Sequence, residues 1–236
     1  MVFSDTKREV IPIAATAEHT ATDTIPVHFK LRKLHSLSGI IPVGLFLIEH
    51  LSVNSLAATA GGERVFNAAV GVLRGLPYLI VIEILFIMIP ILFHGVYGVF
   101  VTTEASVNTG AYSYGRNWMY VIQRVTGLFT FIFVVVHLWN FRIASMINPD
   151  LHVSFDLVRQ HLAVTWVMVF YIAGVLASVF HFANGIWNFC VSWGITIGPR
   201  AQRACAWACA AVGLALSFIG VNALLAFVGK ALIISI

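Results

Sequence analysis

The sequence is poor in charge. Only 10% of its 236 residues are Asp, Glu, Lys or Arg, while 59% are hydrophobic. Soluble domains carry about 25% charged residues, so a water-soluble globular fold is excluded for most of the chain. Cysteine is scarce as well, with Cys190, Cys205 and Cys209 making up the full set of three. None forms a C-x-x-C pair, which argues against an iron–sulphur or zinc site, and the lack of C-x-x-C-H excludes haem attached through thioethers. Cys205 and Cys209 lie four apart on one stretch and read as small packing residues. No flavin, nicotinamide or phosphate-binding motif is present. The net charge of +4 gives no basis for nucleic-acid binding. Residues 1–30 mix Thr, Ala and scattered charges without an apolar core, so they read as a polar tail rather than a signal peptide.

Long apolar runs are what the sequence does have. A membrane-spanning helix needs about 20 mostly apolar residues. Five stretches qualify, at approximately 34–57, 77–103, 117–147, 162–195 and 204–232. Each is expected to be helical, because a helix satisfies its own backbone hydrogen bonds in lipid. The fold class is therefore all-α, an integral membrane bundle of five transmembrane helices, with residues 31–236 forming one domain. Turn signals mark short connections at Gly61–Gly62, Asn108–Thr109–Gly110, Asn148–Pro149–Asp150 and Gly198–Pro199. The fourth run is long for one bilayer and is expected to tilt or project into water.

Orientation follows from Lys and Arg. Lys7, Arg8, Lys30, Arg32, Lys33, Arg116, Arg124, Arg200 and Arg203 share the N-terminal side, nine against five for Arg64, Arg74, Arg142, Arg159 and Lys230. This places the N-terminus in the cytoplasm.

Nine histidines are present. His19 and His28 belong to the tail, His152 and His161 lie in or beside the third connection, and His35 starts the first helix. His50, His94, His137 and His181 lie deep inside four different spans. Ionisable residues inside a membrane are expensive and mark function; the plainer alternative is a hydrogen bond to a neighbouring helix. Depth pairs the four. His50 is about 25 Å along the first helix and His137 roughly 30 Å along the third, both running outward at 1.5 Å per residue. His94 stands about 13 Å before the inner end of the second helix, which runs inward, and His181 is in the inner half of the fourth. His50 and His137 thus share an outer level, and His94 and His181 an inner one.

A metal bound by protein alone would need three or four ligands at one depth. Two histidines per level suit a haem, whose porphyrin supplies the other four nitrogens. Gly98 and Gly185, each four residues after an inner histidine, could clear space for a flat macrocycle, as could Gly39, Gly44 and Gly127. Ordinary small-residue helix packing is the alternative. Pro42 and Pro90 could kink the helices and aim the ligands.

Several segments carry a resemblance. R-K-L-H-S-L-S-G-I-I-P-V-G-L-F-L-I-E-H, P-I-L-F-H-G-V-Y-G, Y-S-Y-G-R-N-W-M-Y-V-I-Q-R-V-T-G, H-L-W-N-F-R and F-H-F-A-N-G-I-W closely resemble the di-haem cytochrome b subunit of type B succinate:quinone oxidoreductases, over residues 28 to about 230. The resemblance implies two haems b. His94 and His181 would hold the proximal iron, and His50 and His137 the distal one. It also implies an iron–sulphur subunit and a flavoprotein subunit as partners, quinone as acceptor, and a multi-pass location in the cytoplasmic membrane. Propionate partners at the inner side would be His35, Ser36 and Arg124. Glu49 and Glu83, the acidic residues of the outer half, are candidates for passing protons to (mena)quinone. Some related fumarate reductases carry a glutamate two residues before the fourth ligand, in a proton path; here that position is Val179. The same subunit type working as a quinol:fumarate reductase is an alternative, and so is another di-haem membrane cytochrome. Cytochromes resembling that of the bc complex place two ligands on each of two helices, whereas here four helices carry one each. A transporter would predict a continuous polar pathway and discontinuous helices, and the few intramembrane charges argue against it.

Overall fold

A computed structural model describes residues 27–104, 106–148 and 150–234; the tail up to residue 26 lies outside them. Five helices are long and apolar enough to cross a membrane. In chain order the described helices are α1 (Val27–Ala58), α2 (Gly62–Arg74), α3 (Leu79–Thr103), α4 (Gly115–Ile147), α5 (Phe155–Leu162), α6 (Thr165–Ser192) and α7 (Gly198–Phe227). The spans are α1, α3, α4, α6 and α7. Below, the end of the bundle holding Lys33 and Thr103 is called lower and the opposite end upper.

The short amphipathic helices α2 and α5 correct the expectation of plain turns in the first and third connections. Each has a single apolar face, so overall hydropathy passes over it. The fourth span begins at Thr165 rather than 162 because α5 is a separate helix. The Ser154 hydroxyl caps α5 by accepting from Leu157 N–H at 3.3 Å, and the chain is extended at Val164 before the span starts. The fifth span begins at Gly198, six residues earlier than the apolar run. Pro199 suits a first helical turn, where its missing N–H costs nothing, and Arg200 and Arg203 keep that turn polar.

Two prolines sit where regular α-helix is interrupted. Pro42 cannot donate to the Ser38 carbonyl, and α1 breaks at Ile41 before resuming as Pro42–Ser55. Pro90 follows a wide π turn over Glu83–Met88, whose extra residue accommodates the ring. A second π turn, Trp139–Ile143, begins two residues after His137. Such turns recur at functional sites.

Helix α7 packs along α6, α6 along α4, and α1 crosses α3, α6 and α7. In lipid this association rests on close van der Waals fit rather than water exclusion. At Gly174, for example, an added Cβ would lie 2.3 Å from Phe133 Cδ2. At the upper end Phe66 of α2, Phe155 of α5 and Phe227 of α7 form a buried aromatic cluster that ties both short helices to the bundle. At the lower end Lys33 bonds the Ser192 carbonyl, and Arg32 pairs with Glu104 at 2.6 Å. Helix α3 differs from the others in having no buried residue. It packs on α1 and α4 and forms one wall of a cavity inside the bundle.

Candidate cofactor site

That cavity has a volume of about 1400 Å³ and is lined from Arg32 at the lower end to Arg74 and His152 at the upper end. Sites for single small molecules are usually about 300–1,000 Å³, so it exceeds the size for one. All four intramembrane histidines line it. The rings of His94 and His181 stand 6.1 Å apart between centroids with planes at 83°. Those of His50 and His137 stand 5.6 Å apart at 80°. Two imidazoles on opposite sides of one metal ion, each about 2.0–2.1 Å from it, have centroids roughly 6 Å apart. The structure thus brings the histidines together in the pairs that depth along the helices suggests.

The lower pair is held by main-chain carbonyls. His94 Nδ1 lies 2.9 Å from the His35 carbonyl oxygen, and His181 Nδ1 lies 3.0 Å from that of Gln123. A carbonyl oxygen only accepts, so each Nδ1 carries the proton and each Nε2 keeps its lone pair. This is the tautomer that a metal ligand needs, with the outer-shell bond that fixes the ring. Glycines on the facing helices let the rings in. A Cβ on Gly39 would lie 2.3 Å from His94 Cε1, and one on Gly127 would lie 2.7 Å from His181 Cε1.

The upper pair is arranged differently. Asn54 Nδ2 donates to the His50 carbonyl at 2.8 Å and lies 3.4 Å from His50 Nε2. His137 Nδ1 is buried without a hydrogen-bond partner among the described residues. Among those residues no three His, Cys, Asp or Glu side chains converge to hold a metal. An ion shared by either pair would therefore find no third ligand of these four types among the described residues. Paired imidazoles, a lone pair kept free on each lower ring, and one large cavity fit iron within a macrocycle.

The other sequence candidates fall around the same cavity. His35 stacks on His94 at 4.1 Å with planes at 8°. The Ser36 hydroxyl donates to the Lys33 carbonyl and accepts from Trp193 Nε1 at 3.1 Å. The Arg124 guanidinium lies 3.3 Å from the centre of the Tyr120 ring, while its Nε is buried without a partner among the described residues. Gly98 faces His35 Nε2, 3.1 Å from where its Cβ would be, and Gly185 faces Gln123. Glu49 lines the cavity beside His50 and has no ion-pair partner among the described residues. Glu83 does have one: Arg142 Nε donates to its carboxylate at 3.0 Å and Nη2 donates to the same oxygen. This pair joins the two π turns.

Three contributors escaped the sequence reading. Gln123 accepts from His181 through its carbonyl, donates to the His181 carbonyl at 3.0 Å, and accepts from Asn184 at 2.7 Å. An amide inside an apolar run is a readable sign of an interhelical bond. Tyr171 lies 5.9 Å from His137 between ring centres. His161, assigned to a connection, turns inward to within 5.3 Å of Tyr171. Burial pushes its imidazole below the ordinary histidine value.

Residues 103–220 match the family described as succinate dehydrogenase/fumarate reductase transmembrane subunit. The succinate dehydrogenase cytochrome b558 subunit of Bacillus subtilis (strain 168) is 46% identical over 200 residues, which span 85% of this chain and 97% of that protein. With the match covering nearly all of that relative, the chain belongs to the family of transmembrane subunits of succinate dehydrogenase and fumarate reductase.

Proposed function

We propose that the chain is the haem-carrying membrane anchor of a succinate dehydrogenase, passing electrons from an iron–sulphur subunit to menaquinone. The observation that carries this is the facing of two histidine pairs across one intramembrane cavity, at 6.1 Å and 5.6 Å. Haem b, when bound, supplies a one-electron redox site at each level.

The residues of the chain set the conditions for it. His94 and His181, their Nδ1–H groups donated to carbonyls, present Nε2 at the lower level, while His50 and His137 serve the upper one. Gly39 and Gly127 leave the lower rings room to face each other. Arg124, His35 and Ser36 line the lower cavity, where acidic substituents of the macrocycle need partners. The lower end is the cytoplasmic one by its Lys and Arg excess, and it docks the iron–sulphur subunit and, through it, the flavoprotein. No succinate-oxidising motif lies in this chain, so succinate chemistry belongs to those partners.

Quinone is reduced at the upper level. Because Arg142 engages Glu83, Glu49 is the carboxylate left free to deliver protons there. Val179 occupies the position of the proton-path glutamate of some fumarate reductases. It is 1% exposed, packed with Leu51, Val175, Phe182 and Leu216, and a carboxylate there would be buried among apolar side chains. This supports succinate oxidation that moves charge across the membrane.

The test is isolation from native membranes in gentle detergent. Two co-purifying chains with flavin and iron–sulphur clusters are expected, with about two extractable haems b per anchor, reducible by succinate. A stable complex with neither partner, or haem that resists acid-acetone extraction, would overturn the proposal.

A further inference from the structure

The charged side chains that line the cavity lie toward its two ends. Arg32 and Arg124 line its lower part, and Glu49, Arg74, Glu83 and Arg142 its upper part. Leu47, Ile87, Ile91, Phe131 and Val175 line the stretch between the two histidine levels. Two of these arginines are neutralised, Arg32 by Glu104 and Arg142 by Glu83. Arg124 and Arg74 have no carboxylate partner among the described residues, and they stand toward opposite ends. A charge that lines an intramembrane cavity calls for an opposite charge. The proposed function places an acidic substituent of the lower macrocycle near Arg124, and nothing near Arg74.

Arg74 is nevertheless aimed. Its Nη2 lies 3.2 Å from His152 Nδ1. Arginine only donates, so Nδ1 accepts and the ring's single proton sits on Nε2. A neutral imidazole thus holds the guanidinium without cancelling its charge and leaves most of its N–H groups available. The two residues sit on connections that are locked to each other. Arg74 ends α2, whose Phe66 packs against Phe155 and Phe227. Phe155, three residues after His152, donates its main-chain N–H to Asn67 Oδ1 of α2 at 2.8 Å. We infer that Arg74, with His152 as its positioning residue, binds a carboxylate of the upper haem. A guanidinium suits that partner, because its N–H groups can donate in parallel to the two carboxylate oxygens. One cavity is lined by Arg74 and by both upper histidines. Arg142, the other upper arginine, is already engaged by Glu83, so Arg74 is the cation left for the ligand.

The inference rests on the two-haem proposal, and the experiment separates the two. In the isolated complex, both haems are titrated electrochemically, with the upper one identified as the component lost in His50→Ala. Arg74→Gln leaves the haem carboxylate uncompensated, and negative charge near the iron favours the ferric state. The reduced-to-oxidised ratio of the upper haem should fall about three- to tenfold at fixed potential. That is a drop of up to about 59 mV for a one-electron couple. The lower haem should not move. Arg74→Lys keeps the charge and should shift the upper haem by less than half as much. His152→Leu should lower the same potential by a smaller amount than Arg74→Gln, while His152→Gln, whose amide oxygen can accept from Arg74, should stay near wild type. Repeating the titration after extracting the quinone tells a haem carboxylate from a quinone oxygen as the bound group, and the Arg74→Gln shift should persist. An unmoved upper haem in Arg74→Gln, equal shifts of both haems, equal shifts in Arg74→Gln and Arg74→Lys, or a shift that vanishes without quinone would each overturn the inference while leaving the haem proposal standing. A wild-type complex without two bis-histidine haems would instead sink the proposal beneath it. If Arg74→Gln fails to assemble, the contrast between His152→Leu and His152→Gln still decides, because both keep Arg74; identical potentials in those two would overturn the inference.

Discussion

Gly39→Ala is the smallest change that should empty one level of the cavity and spare the other. The added methyl would stand 2.3 Å from His94 Cε1 and 2.8 Å from its Nδ1, where carbon atoms in good contact sit about 3.5–4.0 Å apart. One of the two must therefore retreat by roughly 1.2 Å or more to regain that contact. The ring is not free to do so: its Nδ1 donates to the His35 carbonyl at 2.9 Å, and His35 stacks on its face at 4.1 Å. Overpacking of this kind costs about 1–3 kcal/mol, which lowers haem affinity by roughly five- to 150-fold at 1.4 kcal/mol per tenfold. The assay is pyridine haemochrome content with reduced-minus-oxidised spectra on the purified complex. Gly39→Ala should lose the lower haem or turn it high-spin, with the upper component intact. Gly71→Ala, where nothing lies within 4 Å of the new methyl, is the control and should retain both. A Gly39→Ala complex with two unaltered low-spin haems would refute the reasoning that this glycine makes room for a ligand.

Three other expectations concern the upper half and the charge moved in turnover. Glu83→Gln leaves Arg142 unpaired near hydrocarbon and should destabilise the chain by about 1–3 kcal/mol. Adding Arg142→Met should recover part of that loss, measured as the midpoint of thermal haem release; a double variant as weak as both singles combined would show that the pair does not act as a unit. In sealed vesicles, an uncoupler should slow succinate oxidation by the native quinone when the potential has its natural sign, since each charge moved contributes about 2.3 kcal/mol per 100 mV. Glu49→Gln should slow quinone reduction with both haems in place, and activity indifferent to potential would contradict electrogenic turnover.

The spans and the pairing of four histidines were legible because both follow from simple lengths: a bilayer needs a fixed run of apolar residues, and helix rise converts position into depth. Helices α2 and α5 were not legible, since one apolar face over 13 or 8 residues lacks the hydropathy of a span. The partners that fix the lower histidine rings were hidden for another reason. The acceptors for His94 and His181 are main-chain carbonyls of His35 and Gln123, and every residue has one. Gly39 and Gly127 were named only among several glycines, because which glycine faces a histidine depends on how neighbouring helices are rotated. His161 reads in the sequence as part of a connection, and only the docking of α5 against the upper end of the bundle turns it inward. Glu83 reads in the sequence as a proton-relay candidate, or else as bonded to another helix, and the two π turns set it against Arg142.

The central claim is that the iron ligands pair as His50 with His137 and His94 with His181. Each histidine can be replaced singly by alanine, and the low-temperature optical and EPR signals of the resulting complexes compared. His50→Ala and His137→Ala should remove or convert to high spin one and the same haem component, and His94→Ala and His181→Ala the other. If His50→Ala and His94→Ala altered the same component, or if any of the four left both low-spin signals intact, the claim would fail.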